Sequence, residues 1–240
     1  MVDKDKALKF LNKDFIANIN IIDPLVRGTA ELVAVSDNGV IAYEKKGEMY
    51  LISSETEEEG IKLLEGIEKI ELINVCRKAP LEYIMKKYNL NICVECYQCA
   101  YLKGKEVLIN TDMMVELAKE EELPFITDTY KKETPEGIRE IWERGEMFCG
   151  YKDGKMAGFA GVHLEGSVGL LHIFPEFREK GYGAALEAHV INHLVRQGRI
   201  PYGHVVMGNE LSLKIQRKIG FQFSEENMYW VFSRDESECN

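Results

Sequence analysis

The chain has 240 residues, 45% of them hydrophobic and 29% charged, and a formal net charge of -10. It is long enough to bury two compact cores, and its acidic balance argues against nucleic acid or an anionic membrane as a partner. No stretch approaches the roughly 18 apolar residues that span a bilayer. The opening Met1-Val2-Asp3-Lys4-Asp5-Lys6 lacks the apolar run of a signal peptide, so a cytoplasmic protein is expected.

In chain order, Ala30 to Val35 and Gly39 to Glu44 read as a hairpin, and Glu48 to Leu64 as strand, corner and helix. The apolar segment Asn91 to Leu102 carries Cys93, Cys96 and Cys99, the spacing of an iron–sulfur or zinc fragment, with Cys76 as a conceivable fourth ligand. Strand alternation sends Cys93 and Cys96 to opposite faces, and free cysteine packs as a small hydrophobe, so no metal is expected. Lys103-Gly104-Lys105 is the best hinge candidate and divides the chain into domains 1–104 and 105–240.

The second half opens with a short strand, Glu106 to Ile109, and a helix from about Asp112 with that residue as its cap. Thr134-Pro135-Glu136 starts a further helix. Met147 to Tyr151 and Lys155 to His163 are strands joined at Asp153-Gly154, and a Glu165-Gly166 turn leads into a third. A long helix from about Lys180 to Arg196 has Leu186, Val190 and Leu194 at helical spacing and ends at Gly198. Its His189 and His193 share a face at ligand spacing; with no third ligand in view, a solvated face is expected. The strand Tyr202 to Gly208, a helix from Asn209 and strands around Gly220–Phe223 and Met228–Phe232 close the chain.

The stretch Leu171 to Ala184 carries the most chemistry. An apolar strand meets a Pro-containing corner, and a loop with Gly181 and Gly183 opens the long helix. Backbone N–H groups at a helix N-terminus form a receptacle for phosphate, glycines let the anion approach, and Arg178 and Lys180 add charge. No Gly-Lys-Ser/Thr follows, which excludes a P-loop, and the strand Tyr202 to Gly208 has no acid to hold a dinucleotide ribose. Coenzyme A is left as the ligand, beside the plainer reading of a tight strand-to-helix turn.

Arg178-x-x-Gly181-x-Gly183-Ala184, preceded by Leu171-x-Ile173-x-Pro175-Glu176-Phe177, resembles the coenzyme A loop of the GNAT superfamily of acyl-CoA-dependent N-acyltransferases. Asn209-x-x-Ser212 followed by Gly220-Phe221 is similar to that superfamily's second motif, and the branch with glycine N-acyltransferase is the nearest in pattern. The resemblance covers about the last 135 residues. It implies an α/β (α+β) fold: a mixed, mostly antiparallel sheet, splayed at an acyl-CoA cleft and flanked by helices.

It also implies roles. The backbone of Leu171, His172, Ile173 and Phe174 would take the pantetheine, with the Ile173 N–H polarising the acyl carbonyl. Arg178, Glu179, Lys180, Gly181, Tyr182, Gly183 and Ala184 would hold the pyrophosphate, Asn209 would line the cleft, and Ser212 would stand beside the thiol. The co-substrate would be acetyl-CoA or another acyl-CoA, without a metal, and the acceptor a primary amine of a small molecule, amino acid or peptide. The positions of the family's strand carboxylate and helical tyrosine hold Ser167 and Gln216, so Glu165, His163 and His172 are the candidate bases. With both usual groups missing, a non-catalytic coenzyme A-binding or interaction module is the alternative.

The first half echoes the second. A constant offset sets Ile52 against Ile173, Glu55 against Glu176 and Gly60 against Gly181, which reads as an internal duplication with two tandem GNAT-like domains. A second offset sets Lys87 to Ile92 against Lys218 to Phe223. Glu57, Glu59 and Lys62 stand where Arg178, Lys180 and Gly183 do. Unit charges 4 Å apart repel by ~1 to 4 kcal/mol, more than the ~0.3 to 1 kcal/mol a helix N-terminus gives an anion. The first copy is therefore expected not to bind coenzyme A, and to act as scaffold, acceptor-pocket wall or homodimer surface.

Overall fold

A computed structural model describes residues 3–233. The chain forms two compact units, one comprising the described chain up to Ala100, His204–Asn209 and the chain from Gln222, the other Tyr101–Gly203 and Glu210–Phe221. The division at Ala100 lies close to the expected hinge at 104. However, the last strand packs with the first unit, so neither unit is one continuous stretch of chain.

The first unit begins with α1 (Lys4–Leu11), capped by the Asp3 carboxylate on the Lys6 N–H, and α2 (Phe15–Arg27), capped by Asp14 and stopped by left-handed Gly28. The strands β1 (Ala30–Val35), β2 (Gly39–Glu44) and β3 (Met49–Ser54) follow, then α3 (Glu57–Leu63), β4 (Leu72–Val75), α4 (Leu81–Tyr88) and β5 (Ile92–Ala100). Thr56 caps α3, and Glu57, Glu58 and Glu59 fill its first turn, where a helix dipole favours acids. Ile41, Ile52, Ile73, Ile84 and Val231 form the centre of its core.

The second unit contains β6 (Met114–Leu117), α5 (Leu123–Thr129), α6 (Pro135–Glu143), β7 (Met147–Lys152), β8 (Lys155–Val162), β9 (Val168–Ile173) and α7 (Tyr182–Arg196). The chain closes with β10 (Tyr202–Val206), α8 (Glu210–Ile219) and β11 (Gln222–Phe232). Thr134 caps α6 on the Gly137 N–H, with Pro135 in the first turn. Ile126, Ile138, Ile141, Met147 and Phe159 are buried together against the face of β7 and β8.

One sheet has the order β1-β2-β3-β4-β11-β5-β10, and the other β6-β7-β8-β9. In the first, β3 and β4 run parallel, with Tyr50 opposite Ile73 and Ile52 opposite Val75, whereas β11 is antiparallel to both β4 and β5. All pairs in the second sheet are antiparallel, and β9 is one of its outer strands. Among the described residues no helix is long and apolar enough to cross a membrane.

Three expected elements differ. Glu106 to Ile109 is not a strand: the Asn192 side chain accepts from the Val107 N–H at 2.7 Å and donates to its carbonyl at 2.9 Å. One amide side chain thus occupies both groups a neighbouring strand would use. No helix starts at Asp112, whose carboxylate accepts from Tyr182 and pairs with Lys152, and Met114 to Leu117 instead pair with β7. The two closing strands are a single β11, with an irregular register between Phe223 and Asn227.

Candidate functional site

The turn from β9 into α7 is built by backbone conformation. Glu179 and Gly181 both have positive φ, 64° and 84°. The latter residue caps α7 without a side-chain hydrogen bond, which delays the helix from Lys180 to Tyr182. The first intrahelical bond of this turn runs from the Ala185 N–H to the Gly181 carbonyl at 3.1 Å. The N–H groups of Tyr182, Gly183 and Ala184 therefore have no carbonyl one turn earlier to reach, and they form the positive pole of a 15-residue helix.

A cleft of about 760 Å³ opens over this pole within the second unit. Leu171, His172, Ile173, Arg178, Glu179, Gly181, Tyr182, Gly183 and Ala184, all named from the sequence, line it. Arg178 Nε donates to the Ile173 carbonyl at 3.0 Å, so the guanidinium is strapped across the strand end. Lys180 and Phe174 do not line the cleft. Lys180 Nζ donates to the Glu176 carbonyl at 2.9 Å and lies over the Phe177 ring, so the charge expected beside the anion is drawn back onto the loop.

The far wall is α8, through Leu211, Lys214, Ile215 and Lys218, none of which the motif points to. Their spacing of three, four and seven residues is one helix face, the signal that could have identified them. Ser212 is on α8 but not among the lining residues, and Asn209 belongs to the other unit, where its N–H closes a turn onto the Val206 carbonyl.

Among the described residues β9 pairs with β8 along one edge only. Phe174 N–H donates to the Ala157 carbonyl at 3.0 Å, so alternation turns the N–H and carbonyl of Ile173 to the opposite side. The Ile173 and Leu171 side chains approach Gly183, whereas His172 stacks on Phe159 at 5.4 Å and meets Phe174 edge-on at 5.0 Å. Leu170 has φ 50° beside the register shift between Phe159 and Gly161, a bulge that re-aims the strand where it enters the cleft.

The candidate bases separate. Glu165 is buried in the β8–β9 turn, accepts from the Ser167 hydroxyl, and uses its carbonyl to accept from Tyr202 at 2.9 Å. Arg144 braces the turn through the carbonyls of Val162, His163 and Leu164, and His163 lies 6.3 Å from the Tyr130 ring. Neither Glu165 nor His163 lines the cleft; His172 does. Burial, and then the Arg178 charge, hold the His172 imidazole below its ordinary pKa, which keeps it neutral near pH 7.

Gln216 on α8 is buried and donates to Glu187 of α7, whose carboxyl burial pushes up to about 7. His189 and His193 do not form a solvated face: both pack edge-on against Phe148, at 4.9 and 5.1 Å. In the first unit Cys93 is exposed, while Cys96 and Cys99 are buried on the same strand. Burial pushes the Cys76 thiol up to about 12, and among the described residues no group of three or more His, Cys, Asp or Glu side chains could hold a metal ion.

The first-half stretch set against this loop is closed. Where β9 keeps an open edge, β3 is bonded to β4, and the Cys76 N–H extends the pairing onto the Ile52 carbonyl at 2.9 Å. Pro80 packs directly on Gly60, where a Cβ would not fit.

The family model described as FR47-like protein matches residues 148–231, and no curated protein sequence matches the chain. A Drosophila protein of known structure is similar with a TM-score of 0.64 at 12% identity, over 81% of this chain and 74% of that one. A GCN5-related N-acetyltransferase from Kribbella flavida superposes with a TM-score of 0.59 at 13% identity, covering 94% of this chain and 98% of its own. A GCN5-related N-acetyltransferase-like protein from Streptococcus suis has a TM-score of 0.55 at 12% identity, over 88% and 92%. The chain thus has the fold of the GCN5-related N-acetyltransferases.

Proposed function

We propose that the chain transfers an acetyl or other acyl group from acyl-CoA to a primary amine of a small molecule, amino acid or peptide, by direct attack. The observation that carries this reading is the open edge of β9, which ends at a cationic loop and the unpaired N-terminus of α7. A pantetheine arm has two amides and needs a strand edge with free partners; a diphosphate needs N–H groups and cations. Both lie along one cleft.

The Ile173 N–H, facing away from β8, stabilises negative charge that develops on the thioester carbonyl as the amine attacks. Tyr182, Gly183 and Ala184 bind the diphosphate through their backbone, with Arg178 beside them. His172 projects to the face of β9 opposite the Ile173 side chain, against Phe159 and Phe174, and removes a proton from the amine directly or through water. Its depressed pKa supplies the neutral imidazole this requires. Glu165 and Ser167 brace the turn that starts the strand.

In this reading the first half is a second copy of the fold that has lost the site, in the manner of the glycine N-acyltransferase-like branch. The β3–β4 pairing and the acids at the start of α3 support that view, because pantetheine would find no free edge and a diphosphate would meet three carboxylates.

Calorimetric titration of the full chain with acetyl-CoA, followed by free-thiol release over a panel of amines that includes amino acids, tests the proposal. Binding with release on at least one amine is expected. Binding with no release on any amine would support the non-catalytic alternative, and absence of binding would remove both.

A further inference from the structure

Two lysines on α8 have no role in the reading above. Lys214 and Lys218 both line the cleft, both are exposed, and among the described residues neither makes an ion pair. Among those residues neither is neutralised by one of the many acids of a chain whose net charge is -10. Elsewhere in the same unit Lys152 pairs with Asp112 and Asp153, Arg196 with Glu106, and Arg199 with Glu146.

Four residues apart on one helix, the two ammonium groups share a face and stand about one turn from each other. With no acid between them they repel, a modest cost that a shared anion would reverse. Their place is set by Ile215, whose Cδ1 lies 3.7 Å from where a Gly183 Cβ would be. The lysines therefore flank the residue through which α8 meets the first turn of α7, and line the same cleft as Arg178.

The α7 N-terminus and Arg178 already provide for a diphosphate in this cleft. A second, unattached pair of cations in the same cleft calls for a second anion. Coenzyme A has one: besides its diphosphate it carries a phosphate monoester on the ribose 3′ oxygen. We propose that Lys214 and Lys218 form the subsite for that 3′-phosphate and make the protein select coenzyme A over dephospho-coenzyme A. The inference rests on the coenzyme A reading given under Proposed function and adds the residues that discriminate between the two thiols.

Calorimetry of the full chain with coenzyme A and with dephospho-coenzyme A tests it, on the native protein, on a Lys214→Ala/Lys218→Ala double variant and on a Lys214→Arg/Lys218→Arg double variant, each checked by circular dichroism and thermal melting. The native protein is expected to prefer coenzyme A at least tenfold. The alanine variant should lose that preference while its Kd for dephospho-coenzyme A changes less than twofold, and the arginine variant should keep it. Equal affinity of the native protein for both compounds overturns the subsite and leaves the coenzyme A reading standing. Equal loss of both affinities in the alanine variant also overturns it, since the lysines would then serve the diphosphate. Binding of neither compound by the native protein defeats both proposals.

Discussion

The side-chain amide of Gln216 donates to the Glu187 carboxyl where α8 meets α7, and the Gln216 carbonyl oxygen, also buried, has no hydrogen-bond partner among the described residues. Two helices that wall the cleft are thus joined through a carboxyl group whose ionisation is opposed by burial and only partly favoured by the amide.

Glu187 should make stability depend on pH in a direction opposite to a salt-bridged carboxylate. Its folded pKa of about 7 lies above the ordinary 4.5, so between those values the native state holds a proton that the unfolded chain has released. Stability contributed by this group is full below the ordinary carboxylate range and falls as pH rises towards 7, by an amount on the order of 3 kcal/mol. Glu187→Gln removes the titration and offers the Gln216 oxygen a donor. Thermal melts at pH 5 and pH 8 should show the variant gaining on the native protein at the higher pH; parallel behaviour at both values would refute the shift.

Gly181 and Gly183 should not respond alike to alanine. Gly181 sits at φ 84°, where an L side chain costs roughly 1 to 2 kcal/mol, and Gly181→Ala is expected to lower Tm and weaken coenzyme A binding together. At Gly183 an added Cβ meets Ile173 Cγ1 at 3.6 Å and Ile215 Cδ1 at 3.7 Å, ordinary contact distances inside a helix. Gly183→Ala should hold or raise Tm, by up to roughly 1 kcal/mol in stability. Melting curves and titrations on the two variants measure the difference.

Arg178 is the cation that both strand and loop present to the cleft, and Arg178→Gln should weaken coenzyme A binding about tenfold to a hundredfold, the worth of a charge-assisted bond. Arg178→Glu, which reproduces the first-half residue Glu57, should abolish binding. Unchanged affinity in the second variant would reject the loop as the diphosphate site.

Loss of a general base costs about 10² to 10⁴ in rate. His172→Ala should therefore lower kcat by that order with little change in KM for acyl-CoA. Because burial and Arg178 hold the imidazole pKa down, the native rate should already be at its plateau near pH 7 and decline only in more acidic solution, as the ring takes up a proton. A variant with native kcat would remove His172 from the mechanism and leave proton removal to solvent.

What could be read from the chain were features each residue carries on its own. The hairpin reading placed Ala30–Val35 and Gly39–Glu44 at their observed bounds, and Thr134-Pro135 marked the start of α6. The order of glycine, arginine and proline from Leu171 to Ala184 encoded a turn with positive φ opening a helix. Dihedral preference and face periodicity are local, so they survive in a single sequence.

Which group each residue meets was decided by the fold. Nothing near Val107 indicates that its backbone would be taken by Asn192, 85 positions away, nor does the face of α7 reveal that Phe148 covers its histidines. The contrast between β3 and β9 has the same origin: one is bonded along its second edge by β4, and the other, among the described residues, is paired along one edge only. Hydrogen-bond partners across a sheet are chosen by long-range competition among many strand edges, a choice no local pattern records. The sequence by itself determined a glycine-bearing turn from strand to helix; the tertiary structure decided which strand, among the described residues, would keep an unpaired edge beside it.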